Sequence, residues 1–571
     1  MSDFKLKENV MKKTIYALLV GVFALSGCEK FLEEDNRGGI TNEEFYRTEA
    51  GYRSIVSSSY ATLRTTFGRQ APWLLLGGTD VYQMNRGFDN RALMEYTQLF
   101  ADNGDVLTFY RNCYEAIQNI NVAIFYNDIT EVDEVQRKTW LAELRFLRAF
   151  YHFMLIEQFG GIVINDEPTL EEPRLNLPRA SLAESFDFVI SEMEAALPDL
   201  ENDRARVNQA AANHYLAKAY LTRGWDLEQR ADFEEARQYA EAAIGGYSIS
   251  IPYEELWSPS NEMNDEVLFA VQYDGESIGD VSEGNNQQSL FGPYLGGAEL
   301  NHKYMTSPMI PSWSLHNFYE ENDARYDATF MLTIYDQYFD YYDGNKDKNE
   351  MLIRAYYPRV WGREYTSADS LAWVQGKEHQ IASNFRYYPF KYDEQEYRTN
   401  YQLDFVTPVI KKFDSPSTRQ IFGTHVSVRD IVLARKAETY FLYAEASIGL
   451  NDFGTAEQYV QRVLDRPENA KGGGTLRPSQ SIANASSQSE ALDGLLIESA
   501  KEFAGEYLRW AELRRTGKLK ELCGRYNFDI RRVGAEEAFR GADGQDKIYR
   551  PIPQAAIDIN EAQVSQNPGY N

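Results

Sequence analysis

The sequence predicts a mainly α-helical protein, in which tetratricopeptide-like helical hairpins form a scaffold and a loop-rich, irregular region carries short strands. Three observations support this prediction. Apolar residues recur at helical spacing in residues 40–248 and again in 429–571. Two helix–turn–helix segments, one in each of these parts, resemble each other. Between them, in residues 249–428, the helical period is mostly lost and Pro, Gly, Asn and Tyr dominate. We therefore predict one body over residues 40–571.

The N-terminus has the marks of a secretory signal. Met11-Lys12-Lys13 is followed by an apolar run from Ile15 to Leu25, and then by Ser26-Gly27-Cys28. The run has 11 residues, whereas a membrane-spanning helix needs about 20. Because Leu-Ser-Gly-Cys resembles a bacterial lipobox, we predict that residues 1–27 are a signal peptide with an upstream extension and that Cys28 carries a lipid. Residues 28–39 would be the tether. The alternative is an ordinary signal peptide with an incidental cysteine.

Charge and cysteine content limit the possible partners. The net charge is −28, and it becomes about −30 without residues 1–27, which hold four lysines and two acidic residues. A protein this acidic is repelled by nucleic acid and by anionic lipid. We therefore expect the lipid predicted on Cys28 to be its attachment to the membrane. Once Cys28 is modified, Cys113 and Cys523 remain. They could pair, although burial of Cys113 as a small apolar residue is the preferred interpretation.

Apolar spacing and end signals predict individual helices. Leu144, Leu147, Tyr151, Leu155 and Phe159 form one continuous stripe, which predicts a helix over residues 140–159. Gly160-Gly161 should end it. A second helix is predicted from residue 183 to residue 197, before a proline.

Two distant segments repeat one pattern. Residues 215–221 resemble residues 440–446, and both are followed by Asp-Phe-x-x-Ala-x-x-Tyr, at residues 232–239 and 452–459. Small alanines let paired helices approach, while Phe and Tyr fill the groove between them. This pattern is typical of tetratricopeptide hairpins, which bury their apolar faces by stacking on neighbours. The alternative is two unrelated amphipathic hairpins.

Several motifs together resemble those of a known family. Residues 498–517 read ESAKEFAGEYLRWAELRRTG, which we interpret as one C-terminal helix wedged between others with its charges bound to loops. Residues 142–149 read AELRFLRA, residues 551–553 read PIP and residues 566–570 read QNPGY. With the lipobox, this order of motifs resembles the SusD/RagB family of Bacteroidetes outer-membrane lipoproteins. Ser499 and Tyr507 depart from the pattern, since arginine and glycine are usual there.

The resemblance implies a function and a partner. It implies a helical scaffold whose loop-rich face captures an oligosaccharide, or in some members a peptide, at the cell surface. It also implies docking on a SusC-like TonB-dependent outer-membrane transporter, with no catalysis and no cofactor. Two alternatives from other classes stay open, namely a surface glycan hydrolase and a ligand-free structural subunit of a transporter complex.

Motifs of common catalytic and metal sites are not found in the sequence. The six histidines are scattered, with no His-Glu-x-x-His, and neither a Gly-x-Ser-x-Gly elbow nor a phosphate-binding glycine loop is present. Residues 343–349 resemble the start of a calcium loop, but Lys348 and Arg354 replace its glycine and its bidentate glutamate. Chance carboxylate pairs of the glycosidase type remain possible among 86 acidic residues. We predict no catalytic residue and no metal site.

Aromatic residues indicate where a ligand would bind. Residues 281–400 hold 15 of the 39 tyrosines and three of the eight tryptophans. Sugars present flat C–H faces and rings of hydroxyls, which suit aromatic side chains flanked by polar ones. The alternative is that most of these rings form the core of an irregular region. The predicted ligand-binding residues are Trp73, Asp80, Tyr82, Gln83 and Arg86 in an N-terminal loop, and Tyr294, Asn301, Tyr304 and Trp313.

Overall fold

A computed structural model describes residues 42–69, 71–85, 90–170, 172–274, 284–292, 308–335, 347–363, 365–387, 407–414 and 427–571. The predicted signal peptide, Cys28, the tether and residues 343–346 of the calcium-like loop lie outside these ranges. Within them, no helix is both long enough and apolar enough to cross a membrane.

Helices dominate the described residues, as predicted. They are α1 (Asn42–Arg47), α2 (Glu49–Phe67), α3 (Ala71–Leu76), α4 (Arg91–Glu95), α5 (Gly104–Asn127), α6 (Glu134–Phe159), α7 (Leu182–Ala196), α8 (Gln209–Asp226), α9 (Arg230–Ile244), α10 (Tyr253–Leu256), α11 (Gln287–Phe291), α12 (Trp313–Phe318), α13 (Arg325–Thr329), α14 (Ser367–Val374), α15 (Lys436–Gly449), α16 (Phe453–Leu464), α17 (Gln488–Glu502), α18 (Arg509–Arg515), α19 (Leu519–Tyr526), α20 (Phe528–Val533), α21 (Ala535–Phe539) and α22 (Gln554–Ile559).

The strands are short and lie mostly in the predicted loop-rich region. They are β1 (Tyr82–Met84), β2 (Val267–Val271), β3 (Met309–Pro311), β4 (Phe330–Met331), β5 (Thr333–Tyr335), β6 (Ile353–Tyr356), β7 (Ile381–Tyr387), β8 (Val409–Ile410) and β9 (Ile431–Arg435). They pair as β1–β3, β2–β9, β4–β8 and β5–β6–β7, and only β6 and β7 run parallel. These small sheets fix loops onto the helices.

The end signals determine where the central helices begin and end. Helix α6 contains the predicted helix but begins six residues earlier, because Asp133 accepts hydrogen bonds from two first-turn amides. It ends at Phe159, where Gly160 adopts a φ of +76° that favours glycine. Helix α7 lies within one residue of its prediction, and Ser181 and Glu184 form a capping box at its start.

The two repeated hairpins are neighbours in space. Helices α8 and α9 form one hairpin, α15 and α16 form the other, and both contribute to a shared apolar cluster. The ring of Phe233 lies between Gly224 and Gly449, one glycine from each hairpin, where a methyl group would come within 2.9 and 2.8 Å of it. The matched aspartates differ, because Asp452 caps α16 whereas Asp232 lies inside α9 and binds Arg223.

The predicted single C-terminal helix is wrong. Helices α17 and α18 are separated by a turn from Phe503 to Leu508, in which Gly505 has a φ of +84°. The turn carries the chain under the loop-rich region, where the Tyr82 hydroxyl accepts a hydrogen bond from the Gly505 amide. The wedged position is confirmed, because Glu498, Glu502 and Glu506 are all buried.

Two apolar cores larger than the cluster shared by the hairpins stabilise the part of the molecule that the structure describes. The larger one fills the helical scaffold and includes both free thiols, so Cys113 and Cys523 are unpaired and buried. We call the smaller one the second core, and it lies mainly in the loop-rich region. Its members are Leu76, Val81, Tyr82, Met84, Met94, Tyr253, Leu256, Trp257, Leu290, Phe291, Met309, Leu315, Tyr319, Tyr326, Phe330, Ile410, Phe413, Ala500 and Ala504.

Candidate functional site

Strand pairing brings the two predicted ligand-binding segments together. Strand β1 runs antiparallel to β3, with Tyr82 opposite Pro311. Directly after β3, the Ser312 amide donates to the Val81 carbonyl at 2.8 Å, and its hydroxyl donates to the Asp80 carbonyl at 3.1 Å. Residues separated by more than 220 positions in the sequence are therefore adjacent at the second core.

Burial gives Asp80 and Tyr82 a structural role. The Asp80 carboxylate is fully buried and accepts hydrogen bonds from Arg509 Nε at 2.9 Å and from Nη2 at 2.6 Å. Tyr82 is also buried, and its desolvation raises the pKa of the phenol. Asp80 ties the residues before β1 to the start of α18, and Tyr82 ties β1 to the turn at Gly505. Both side chains are buried, so direct contact with a ligand would require them to move. The sequence did not show these partners because Arg509 and Gly505 lie more than 420 residues away.

Gln83 is buried between these anchored residues. Its side chain is 0% exposed, and neither its amide oxygen nor its amide nitrogen has a hydrogen-bond partner among the described residues. An unpaired buried amide is costly, typically by about 1–3 kcal/mol. Arg86, Tyr294, Asn301 and Tyr304 lie outside the described residues. For these residues the ligand-binding assignment stays a prediction.

Residues at the start of α20 hold β1 in place. The Asp529 carboxylate accepts a hydrogen bond from the Met84 amide at 2.8 Å, and the Asn527 side chain donates to the Tyr82 carbonyl at 2.8 Å. Burial raises the pKa of Asp529 to about 7. Sequence reasoning missed both residues, because nothing in their local pattern indicates a contact with a strand more than 400 residues earlier.

Two partly exposed tryptophans pack against the second core, and a third begins α12, which contributes Leu315 to it. Trp73 on α3 and Trp361 both pack against it while part of each ring faces solvent. Trp313, the first residue of α12, is also partly exposed, and its indole N–H is buried with no partner among the described residues. Trp73 and Trp313 belong to the predicted site, whereas Trp361 belongs only to the aromatic-rich region 281–400. These rings offer apolar faces beside polar groups.

Arg359 and Asn317 place polar groups beside Trp361. The Arg359 guanidinium lies 4.3 Å from the centroid of the Trp361 ring. Its Nη1 donates to the Asn317 side chain and its Nη2 donates to the His316 carbonyl, both at 3.2 Å. This arrangement fixes an exposed amide and a cation next to an aromatic ring. Such a combination suits a ligand with both C–H faces and hydroxyls.

A second aromatic group lies on the three-stranded sheet. The rings of Tyr356 on β6 and Trp373 on α14 stack at 3.8 Å with 12° between their planes, and Phe385 on β7 is nearly parallel to Trp373 at 6.1 Å. Lys377 Nζ lies 4.8 Å from the centroid of the Trp373 ring. All these residues fall within the aromatic-rich region 281–400. The enrichment therefore produces both core rings and partly exposed ones.

A buried network of ion pairs connects helix α17 to residues near β2, β9 and α16. Glu502 on α17 lies within 3.1 Å of nitrogen atoms from Arg325, Arg435 and Arg466. Glu266 pairs with Arg435 and Arg466, so the network joins β2, β9 and the loop after α16. These three arginines hold the pKa of the Glu502 carboxyl down, at about 2, despite its burial.

The network has the character of a structural element. Its carboxylates are paired and buried, so they lack the exposed acid and base that glycoside hydrolysis needs. Lys412 joins it through Glu506 at 2.9 Å, and burial lowers the pKa of its amine to about 8. Across the described ranges, no group of three or more His, Cys, Asp or Glu side chains is arranged to hold a metal ion.

Two family models and several known proteins match the sequence. The model described as "SusD family" matches residues 265–570, and the one described as "Starch-binding associating with outer membrane" matches residues 41–221. The SusD-like protein P2 of Formosa agariphila is 24% identical over 98% of this chain and 100% of its own length. A SusD-like protein of Bacteroides ovatus is 30% identical over 46% of this chain and 50% of its own length.

Solved structures share the fold. A SusD homologue from Bacteroides thetaiotaomicron superposes with a TM-score of 0.69 at 16% identity, covering 94% of this chain and 100% of that one. A laminarin-binding SusD-like protein superposes with a TM-score of 0.62 at 18% identity, covering 92% and 100%. The family model covers more than half of the sequence, and the architecture agrees over nearly all of it. The chain therefore belongs to the SusD family.

Proposed function

We propose that this protein binds oligosaccharides at the cell surface and delivers them to a TonB-dependent outer-membrane transporter, with no catalysis of its own. The observation that carries the proposal is a set of partly exposed tryptophans at or next to the second core, to which both predicted segments contribute residues. Sugars stack on such rings through their C–H faces, while neighbouring amides and guanidinium groups bind hydroxyls.

The relatives support a glycan as the ligand. One fold neighbour is named as laminarin-binding, and the starch-binding protein SusD of Bacteroides thetaiotaomicron is 27% identical over 26% of this chain and 28% of its own length. We infer the same class of ligand here. The contacts proposed for the described residues are Trp73, Trp313 and Trp361, with Arg359 and Asn317 as polar partners.

The remaining predicted residues have two proposed roles. Asp80, Tyr82 and Gln83 would support the site by fixing β1, since they are buried. Arg86, Tyr294, Asn301 and Tyr304 stay proposed as ligand contacts on the basis of their sequence surroundings. This division separates residues whose replacement should change stability from residues whose replacement should change affinity alone.

Alanine substitution of the exposed tryptophans tests the site. The purified protein is titrated calorimetrically against laminarin, starch and pectin. One of these glycans should bind to the parent protein. Trp73→Ala, Trp313→Ala or Trp361→Ala should weaken its binding roughly tenfold, since a stacked aromatic contributes about 1–2 kcal/mol. Phe125→Ala is the control, because Phe125 is 47% exposed on α5, outside the proposed site.

Two results would contradict the proposal. Unchanged affinity in all three folded tryptophan variants would place the site elsewhere, and no binding of any of the glycans would favour a structural subunit. Release of sugars from the polysaccharide during incubation would instead support the hydrolase alternative. The transporter is tested separately by mild detergent extraction, in which the two proteins should purify together.

A further inference from the structure

A cavity with arginine in its wall lies on the helical scaffold. It has a volume of about 320 Å³ and is enclosed by α2, the loop at residues 204–206 and strand β2. Its lining includes Arg64, Arg204 and Arg206, and the described lining contains no Asp or Glu. This composition is unusual for a protein of net charge −28. The cavity is separate from the tryptophans around the second core, none of which lines it.

Arg64 is held by contacts that do not use its terminal amino groups. Its Nε donates a hydrogen bond to the Gln272 carbonyl at 2.8 Å, and its guanidinium lies 5.2 Å from the centroid of the Tyr273 ring. Among the described residues, Arg64 forms no ion pair. Its two terminal amino groups form no hydrogen bond with the described residues, and Arg64 lines the cavity. Such a fork matches the two oxygens of a carboxylate.

The other two arginines are already neutralised. Arg206 binds the buried Glu143 through two nitrogens, one of them Nε at 2.7 Å, and Arg204 pairs with Asp265 at the surface. Of the three arginines, Arg64 is therefore the one without an ion pair among the described residues. The nearby carboxyl of Asp430 interacts electrostatically with Arg64, but it accepts the Tyr273 amide at 2.8 Å and does not line the cavity.

We propose that this cavity binds an acidic sugar residue, with its carboxylate on Arg64. Its volume lies at the lower end of the range for ligand pockets, about 300–1,000 Å³, which suits one or two sugar units. The Ser57 hydroxyl and the side-chain oxygen of Gln272, whose nitrogen donates to the Ala205 carbonyl, supply neutral hydrogen-bonding groups that a bare anion would leave unused. The inference goes beyond the proposed function, because it adds a second site on the scaffold and a charge requirement that the tryptophan site does not have.

Glucuronate and glucose form the matched pair of probes. Glucuronate should bind measurably in ligand-observed NMR titrations, whereas glucose should bind at least tenfold more weakly at this site because it lacks the carboxylate. Arg64→Gln should weaken glucuronate binding by about tenfold or more, since hydrogen bonds to a charged group are worth about 1.5–3 kcal/mol. Arg53→Gln is the control, because Arg53 is an exposed arginine on the same helix that pairs with Glu49.

A second variant tests the cavity without removing a charge. Ser57→Trp should fill the space and abolish glucuronate binding, while Ser58→Trp, at an exposed position outside the lining, should not. Circular dichroism and thermal unfolding establish that each variant is folded. Because Ser57 is exposed, the substitution should leave the melting temperature close to that of the parent.

Several results would overturn the proposal. Equal binding of glucose and glucuronate would show that the carboxylate is not recognised. Unchanged glucuronate binding in a folded Ser57→Trp variant would show that the ligand does not bind in this cavity. Inorganic sulfate bound as tightly as glucuronate would indicate a simple anion site, and a glutamate-containing tripeptide bound more tightly would indicate a peptide ligand. None of these results would affect the tryptophan site, which is measured with neutral glycans and its own variants.

Discussion

Glu502 shows how a single residue can unite distant parts of this chain. Its carboxylate is buried and receives nitrogen atoms from three arginines at 3.0–3.1 Å. Two of these arginines also bind Glu266, so the charges are shared over two glutamates. Loss of one member of such a network is strongly destabilising, because it leaves buried charges without partners.

Glu502→Gln should therefore destabilise the protein severely. The amide keeps the shape of the side chain but removes the charge that three buried arginines require, and we expect a loss of about 3–5 kcal/mol in the free energy of unfolding. Urea unfolding followed by circular dichroism measures it. Glu43→Gln is the control, since Glu43 forms an exposed pair with Arg47 on α1 and its loss should have no measurable effect. A similar midpoint for both variants would contradict the structural role of the network.

Asp529 is a buried acid whose charged form is disfavoured. Burial raises the pKa of its carboxyl to about 7 in the folded protein, against about 3.9 for an ordinary aspartate. Between these two pH values the folded state binds more protons at this site than the unfolded state does. Stability contributed by Asp529 is therefore present at low pH and is lost as the pH rises towards 7.

Asp529→Asn should remove this loss. The asparagine oxygen can still accept the Met84 amide, so the variant should gain stability relative to the parent as the pH rises from 4 to 8, by an amount on the order of 2–4 kcal/mol. Urea midpoints at a series of pH values give the difference profile. Asp128→Asn, at a side chain that is 88% exposed, is the control for replacing a carboxylate at the surface. A flat profile for Asp529→Asn would show that its pKa is not raised.

At the scale of elements, the two hairpins meet through one aromatic ring. Phe233 on α9 fits against the backbone at Gly449, the last residue of α15, and at Gly224 on α8. This close approach explains how two repeats that are far apart in sequence form one continuous array. The stacked rings of Tyr443 and Tyr459, 3.6 Å apart, extend the packing within the second hairpin.

Gly449→Ala should disrupt this contact. The added methyl group would lie 2.8 Å from the Phe233 ring, which must shift, and we expect a loss of about 1–3 kcal/mol. Phe233→Leu in the same chain should recover part of it, which would show that the two positions are coupled. Gly454→Ala is the control: its site has no atom within 4 Å, and it lies in α16, so it should stabilise by about 0.5–1 kcal/mol. Equal effects at the two glycines would contradict the packing argument.

Local signals predicted the elements better than the connections between them. The apolar stripe and the two glycines gave the end of α6 correctly, since these signals act within a few residues. The break between α17 and α18 was missed, because the residues around Gly505 are compatible with a helix and the turn depends on contacts with Tyr82 and the buried arginines. Tertiary contacts decided the backbone there.

The same distinction explains the site. Composition correctly indicated an aromatic-rich region, but it could not separate rings of the second core, such as Tyr82 and Tyr326, from rings at its rim. Asp80 was predicted to bind ligand because it is a polar residue in a loop, but its side chain binds an arginine more than 420 residues later. Burial in an irregular region depends on which segments pair, and the sequence pattern does not specify that pairing.

At the scale of the whole molecule, the end of the chain closes onto its first half. The Asn567 side chain donates to the carbonyls of Phe159 and Arg550, and the Gln554 amide donates to the Ala101 carbonyl. These contacts tie the C-terminal segment to the end of α6 and to the loop before α5. The motifs at residues 551–553 and 566–570 thus complete the scaffold, and the second core is held between early and late parts of the chain.

We predict that a lipid on Cys28, a residue outside the described ranges, attaches this body to a membrane. Among the described residues no helix can cross a membrane, and the net charge disfavours adsorption to anionic lipid. Burial of acyl chains contributes about 0.8 kcal/mol per methylene, so two or three chains would hold the protein firmly. Cys28→Ala should release it from the membrane fraction into the soluble one, with glycan binding unchanged, as measured by fractionation and immunoblotting. Cys113→Ala is the control, because that thiol is buried in the scaffold. Retention of the Cys28→Ala protein on membranes in high salt would show that something other than the lipid anchors it.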